Sequence, residues 1–311
     1  MRFSIAKVHG SGNDFPLIDA RGLTLSDHDW AAVARALADR RGTVGGDGLL
    51  LFANGDDAHD FAMVMRNSDG SEAETCLNGL RCVARAGFEA LGIDAAQVKL
   101  KTSTADVARD ADVGPGVYTV RETVGPAGLA TAAFPIGGAP PELIEGVIPQ
   151  LGSVHRFTAV TIPNPHLISF VDTVDDAELS ALGAICEAAP DWLPNRANVS
   201  FVAQRGPDLF VRTFERGVGL TNSCGSAMAA STYAACLTGR TPFGQPLTVF
   251  NKGGRVRAEA RADGMVTLSG NATVEWEAEV EVDLAAERAG PIENLRPRDA
   301  EVAAWAAVVA G

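Results

Sequence analysis

The chain has 311 residues, 46% of them hydrophobic and 21% charged, with a formal net charge of −13. That length accommodates two domains with cores of their own, and the balance is that of a globular chain rather than a disordered one. The acidic excess argues against nucleic acid as a partner, because phosphate binding needs a basic face. No apolar run reaches the length of a membrane span, and the opening MRFSIAKVHGSGNDF lacks a secretory apolar core, so no membrane association and a cytoplasmic, reducing setting are expected.

In chain order, Phe3 to Asp19 (FSIAKVHGSGNDFPLID) alternates apolar residues, turns around an asparagine and resumes an apolar run, which predicts a hairpin. From Gly48 to Gly79 the pattern is strand, turn, strand, polar loop, Cys76 and the start of a helix. Leu80 to Leu91 (LRCVARAGFEAL) is short-side-chained and apolar on most faces, the mark of a helix buried inside a sheet. A Gly/Pro-rich stretch from Gly125 to Gly152 follows, and its start predicts a domain boundary. The same plan then returns. Phe157 to Asp172 repeats the hairpin, Asn198 to Ala227 repeats strand, turn, strand, loop and cysteine, and Ala227 to Leu237 repeats the small-residue helix. Asn13 lies 63 positions before Cys76 and Asn164 lies 60 before Cys224, so whole elements keep register, as in a duplication. Val266 to Leu268 and Trp276 to Asp283 alternate as closing strands of the second copy. Residues 285–311 end in an Ala/Val-rich helix with no counterpart in the first copy, expected on the surface or on the partner subunit of a homodimer. The expected lobes are therefore residues 1–124, carrying Cys76, and 125–284, carrying Cys224, followed by a C-terminal extension, 285–311.

Five cysteines, with no C-x-x-C, fit neither a disulfide framework nor a zinc site, and no His, Asp or Glu cluster has metal-ligand spacing. Cys82, Cys186 and Cys236 sit inside apolar helical patterns and read as core residues. Cys76 and Cys224 instead each precede a helix, where first-turn N–H groups lack intrahelical partners; that position is expected to lower a thiol's pKa and to present donors to a carboxylate. An amino acid's α-proton is hard to remove, and fixed donors around its carboxylate stabilise the charge that develops. One thiolate taking the proton while an opposite thiol delivers another would invert the carbon with no cofactor.

Four motifs carry a resemblance: HGSGNDF at His9–Phe15, NSDGSEAETCLNGLRC at Asn67–Cys82, NPH at Asn164–His166 and ERGVGLTNSCGSA at Glu215–Ala227. In that order, over residues 1 to about 283, the chain resembles the diaminopimelate epimerase family. The resemblance implies an α+β fold of two pseudo-symmetric domains, each a curled, mixed, largely antiparallel sheet wrapped around a central helix, with the site in the cleft between them. It implies interconversion of LL- and meso-diaminopimelate, a step toward lysine and peptidoglycan, without pyridoxal phosphate or metal and with a small amino acid as the ligand. Carried over by position, Cys76 and Cys224 would be the acid/base pair, and His166 and Glu215 would tune or accept protons from the thiols. Asn13, Asn67, Asn164 and Asn198 would hold the substrate's ammonium and carboxylate groups. Arg216 would bind the distal carboxylate, with Glu215 beside it, and backbone donors near Leu77, Asn78, Gly225 and Ser226 would grip the reacting carboxylate. Taken alone, His166 after a proline could cap a turn and Glu215 could pair with Arg216.

Three places depart from the family's usual reading. Leu77 stands where C-G-N-G has glycine, so a side chain is expected beside the pocket; Leu220 stands where G-E-T-x-A-C has a carboxylate; and the loop Gly45–Leu50 has no glutamine. These leave a racemase of another amino acid on the same scaffold as the alternative. A redox-sensing or binding protein, in which Cys76 and Cys224 form a reversible disulfide, is a third reading. Two thiols either side of one carbon would in any case be open to oxidative cross-linking when the site is empty.

Overall fold

The computed structural model describes residues 1–73 and 76–310, which divide into two compact units, residues 1–122 with 269–311 and residues 123–268. The fold is mixed α/β. The first unit opens with β1 (Arg2–Gly10) and β2 (Asn13–Asp19), joined through Ser11 and Gly12. Both joining residues have positive φ, 51° and 85°, the backbone twist that a two-residue hairpin turn requires. Helix α1 (Asp27–Ala38) starts at a capping box in which Ser26 and Asp29 satisfy each other's backbone N–H groups. Then come β3 (Gly48–Asp56), β4 (His59–Asn67), α2 (Leu77–Leu91), β5 (Ala95–Lys99), β6 (Thr104–Asp110) and β7 (Thr119–Val124), the last leading out of the unit. Gly92, in the left-handed conformation, ends α2.

The second unit runs β8 (Thr158–Thr161), β9 (Pro165–Phe170), α3 (Asp176–Glu187), β10 (Asn198–Arg205), β11 (Asp208–Glu215), β12 (Gly219–Thr221), α4 (Gly225–Leu237), β13 (Leu247–Asn251), β14 (Gly254–Ala260) and β15 (Val266–Asn271), which leads back. Strand pairing alternates identically in the two units. In the first, β1–β2 is antiparallel, β2–β3 parallel, β3–β4 antiparallel, β4–β5 parallel and β5–β6 antiparallel. In the second, β8–β9, β9–β10, β10–β11, β11–β13 and β13–β14 follow the same sequence of senses.

The strands of each unit are covered by helices on both faces. Leu49 and Leu51 of β3 pack with Val33 and Leu37 of α1, while Leu50 points the other way, against Gly79 of α2. All three leucines are buried, each worth about 1.5–3 kcal/mol of transfer free energy. In the second unit Leu179 and Leu182 of α3 pack with Leu167, Val199 and Phe201. Helix α4 is buried at every residue but Leu237, as its small side chains foretell. No helix among the described residues is long and apolar enough to cross a membrane.

The C-terminal segment corrects the expected lobes. Strand β16 (Thr273–Asp283), expected to close the second copy, pairs antiparallel with β1, Arg2 opposite Glu281, and so belongs to the first unit. Strand β17 (Arg288–Pro297) pairs with β16, and α5 (Asp299–Ala310) buries Trp305 and Val308 against Val117. Glu301 of α5 ties it to Arg85 of α2, with a 2.9 Å contact from Nη2 to Oε1. Residues 285–311 are thus fastened to the first unit.

Candidate active site

In the first unit the site is built at the N-terminus of α2. Cys76 is the N-cap, half-buried, and its sulfur accepts from the N–H of Gly79 at 3.4 Å. Leu77 and Asn78 open the helix, so their N–H groups have no intrahelical acceptor. Leu77 as a whole is only 5% exposed. Asn78 reaches back to the hairpin, its Nδ2 donating to Asn13 Oδ1 at 2.6 Å, and Asn13 Nδ2 donates to Asp47 Oδ2 at 2.9 Å. Gly10 permits this approach, since a Cβ there would lie 2.3 Å from the Asn78 carbonyl oxygen. Asn67 ends β4, and its Nδ2 donates to Ser71 Oγ at 3.0 Å, holding the mouth of the loop that leads to Cys76. Glu74 and Thr75 of that loop lie outside the described residues.

In the second unit Cys224 is the N-cap of α4, 7% exposed, with its sulfur 3.5 Å from Ser226 Oγ. Gly225 and Ser226 supply the first-turn N–H groups. The expectation that helix donors lower this thiol's pKa is overturned: burial first, and then the Glu215 carboxylate beside it, hold the Cys224 thiol well above its usual range. Glu215, at the end of β11, takes the Thr221 hydroxyl as a donor and is also a hydrogen-bond partner of Cys224.

His166 is fully buried on β9, with Nε2 2.9 Å from Asn164 Oδ1 and 3.5 Å from Asn198 Nδ2. Its Nδ1 has no partner among the described residues. Burial, helped by the Arg216 charge, pushes His166 down to about 3, so the ring is neutral at physiological pH. Asn198 accepts from the Arg216 backbone N–H at 2.9 Å, which turns the Asn198 amide nitrogen toward His166. The Arg216 guanidinium bonds to the Asn195 carbonyl at 3.1 Å. His166, Asn164 and Asn198 therefore form one contiguous cluster, joined to Arg216 through its backbone, and Glu215 and Cys224 form another.

The sequence model of the diaminopimelate epimerase family matches residues 5–115 and 158–275, most of the chain. The chain belongs to the diaminopimelate epimerase family. Curated members of that family include the diaminopimelate epimerases of Clostridium acetobutylicum, 37% identical over 91% of this chain and 87% of that one, and of Listeria monocytogenes, 38% identical over 86% and 85%. Solved structures at lower identity show the fold. A Bacillus anthracis phenazine biosynthesis protein of the PhzF family superposes with a TM-score of 0.66 at 14% identity, covering 91% of this chain and 100% of that one. A hydroxyproline epimerase from Agrobacterium vitis, with bound trans-4-hydroxy-L-proline, superposes with a TM-score of 0.61 at 14% identity, over 91% and 92%.

Behind Asn78 the structure adds a layer the sequence reading missed. Arg81 and Glu122, both fully buried, pair at 2.6 Å, and Arg81 also donates to Asn78 Oδ1 at 2.6 Å, Ser11 Oγ at 3.0 Å and the Asn271 carbonyl at 3.2 Å. Burial pushes the Glu122 carboxyl up to about 7, against the pull of the guanidinium. The available signal was Arg81 at a core position of a largely buried helix.

Proposed function

We propose that the protein interconverts LL- and meso-diaminopimelate by moving protons between the substrate α-carbon and two cysteines. Family membership, with curated diaminopimelate epimerases at 36–38% identity over most of the chain, is the observation that carries this reading. In it, Cys76 and Cys224 act on one carbon: one sulfur removes the α-proton and the other returns a proton to the opposite face, so the centre inverts. Glu215, in contact with Cys224, is suited to accept that thiol's proton when sulfur must act as the base. The N–H groups of Leu77, Asn78, Gly225 and Ser226 would hold the reacting carboxylate and stabilise the enolate-like charge. Asn13, Asn67, Asn164 and Asn198 would orient the ammonium and carboxylate groups, and Arg216 the distal carboxylate. His166, neutral and buried, supports this as a hydrogen-bonding group rather than as a charge. The setting we infer is the cytoplasm, with the amino acid as the partner and no cofactor called on by the chemistry.

The test is incubation of purified protein with LL-diaminopimelate in deuterium oxide, read by proton NMR and chiral chromatography. Deuterium at the α-carbon together with the meso isomer is expected, and both should be lost in Cys76→Ser and in Cys224→Ser. Turnover without α-deuterium, or full inversion in either serine variant, would overturn the two-thiol reading. A parallel panel of free amino acids measures how far Leu77 and Leu220 shape substrate choice.

A further inference from the structure

We infer that Arg81, anchored by Glu122, is a positioning residue that sets which way the Asn78 and Asn13 amides face. The inference rests on the reading of the Asn13 side chain as a substrate contact, with Asn78 meeting the substrate through its backbone N–H. A carboxamide can be turned end for end with almost no change of shape, so something must decide which end carries the oxygen. Arg81 decides it for Asn78. A guanidinium only donates, and its Nη2 lies 2.6 Å from the amide, so the Asn78 oxygen must point inward and its nitrogen outward, toward Asn13 2.6 Å away. That donated hydrogen bond requires the Asn13 oxygen to face Asn78, and the Asn13 nitrogen then faces Asp47 Oδ2 at 2.9 Å. Asp47 only accepts, and Arg40 holds its other oxygen at 2.6 Å. Donor-only at Arg81 and acceptor-only at Asp47, the chain Arg81, Asn78, Asn13 and Asp47 has a single polarity, with Glu122 anchoring one end and Arg40 the other.

Arg81 also reaches Ser11 Oγ and the Asn271 carbonyl, and Asn271 Oδ1 accepts from the Ser11 N–H at 2.7 Å. Ser11 has φ 51°, a conformation that a residue with a Cβ rarely adopts unless its surroundings hold it. One guanidinium thus holds the inner end of the amide chain and the turn that carries Asn13, while Asp47 and Arg40 hold the outer end. A lysine could keep the charge opposite Glu122 but not the planar fork that serves four acceptors at once.

The experiment is a double-mutant cycle of Arg81→Lys with Asn78→Ala, read as kcat/KM for epimerisation. Arg81→Lys should lower kcat/KM about tenfold or more in the parent, mainly through KM, and less than about twofold once Asn78 is alanine. Equal losses in both backgrounds would make Arg81 a structural residue and overturn the inference. A second readout is independent of the substrate assignment: the side-chain NH₂ resonances of Asn78 and Asn13 should be dispersed in the parent and collapse toward free-amide positions in Arg81→Lys. Unchanged resonances would also overturn it. If Asn13→Ala leaves kcat/KM intact while the resonances do collapse in Arg81→Lys, the substrate-contact reading of Asn13 fails and the positioning of the amides stands. Should Arg81→Lys not fold, Glu122→Gln takes its place in both measurements with the same expected signs.

Discussion

Cys76 and Cys224 hold the same rank in two units with the same strand order, yet their surroundings differ. Cys76 is half-buried, its sulfur capping an N–H beside a network of neutral amides, whereas Cys224 is buried against a carboxylate and a serine hydroxyl. Burial and a like charge both favour the protonated form of a thiol, so Cys224 is held as SH with the Glu215 carboxylate already in contact. The first unit spends its polar groups on orientation instead. A repeated fold thus supplies equivalent positions for two thiols, and the partners at each position separate what the thiols do.

The largest effect that would sharpen this contrast is expected from Glu215→Gln. Losing the acceptor should lower kcat/KM about a hundredfold. Removing a neighbouring negative charge should also move the pH midpoint for alkylation of Cys224 downward while Cys76 keeps its own. Mass-spectrometric alkylation at several pH values checks both, and an unmoved Cys224 midpoint would break the comparison.

Acid stability comes next. Burial holds His166 at about 3 and His9, in the first unit, at about 4, both below the ordinary 6.5. The folded protein therefore binds fewer protons than the unfolded chain between those values and 6.5. The stability in question is fully present above 6.5 and is lost as pH falls, toward about 3 for His166 and about 4 for His9. Each is worth on the order of a few kcal/mol. Urea unfolding between pH 7.5 and 4 should show a shallower loss in His166→Gln and in His9→Gln than in the parent, and an unchanged slope in either would contradict the assignment.

The smallest effect separates the tight turn from open ones. Gly10→Ala should destabilise by about 1–3 kcal/mol and depress activity, because its Cβ would meet the Asn78 carbonyl. Gly206→Ala in the second unit, at φ 62° with open space around it, should cost about 1 kcal/mol and leave activity alone. Thermal melts and kcat/KM for the two variants test the difference.

Much of this was legible in the sequence. Local signals gave the two hairpins, the two small-residue helices and the thiols at their N-termini, because alternation, turn residues and helix starts act over a few positions. Motif matching brought in Asn164, His166 and Asn198, which the structure gathers into one cluster. Partnerships across long separations were not legible. The alternation of Trp276 to Asp283 marks a strand but does not say that its neighbour is β1, nor does LRC announce that Arg81 meets Glu122 41 positions later. The Cys224 shift was misjudged because helix position is visible in the sequence, whereas burial and the return of Glu215 through β12 exist only once the chain has folded.

The pairing of β1 with β16 has a consequence for biosynthesis. A ribosome makes Thr273–Asp283 after all of residues 123–268, so the first unit exposes an unfilled strand edge until the whole second unit has been synthesised. Such an edge invites mispairing, and Lys7 on β1, a charged side chain at that border, is of the kind that discourages it. The unit that begins first is therefore the last to receive all of its strands.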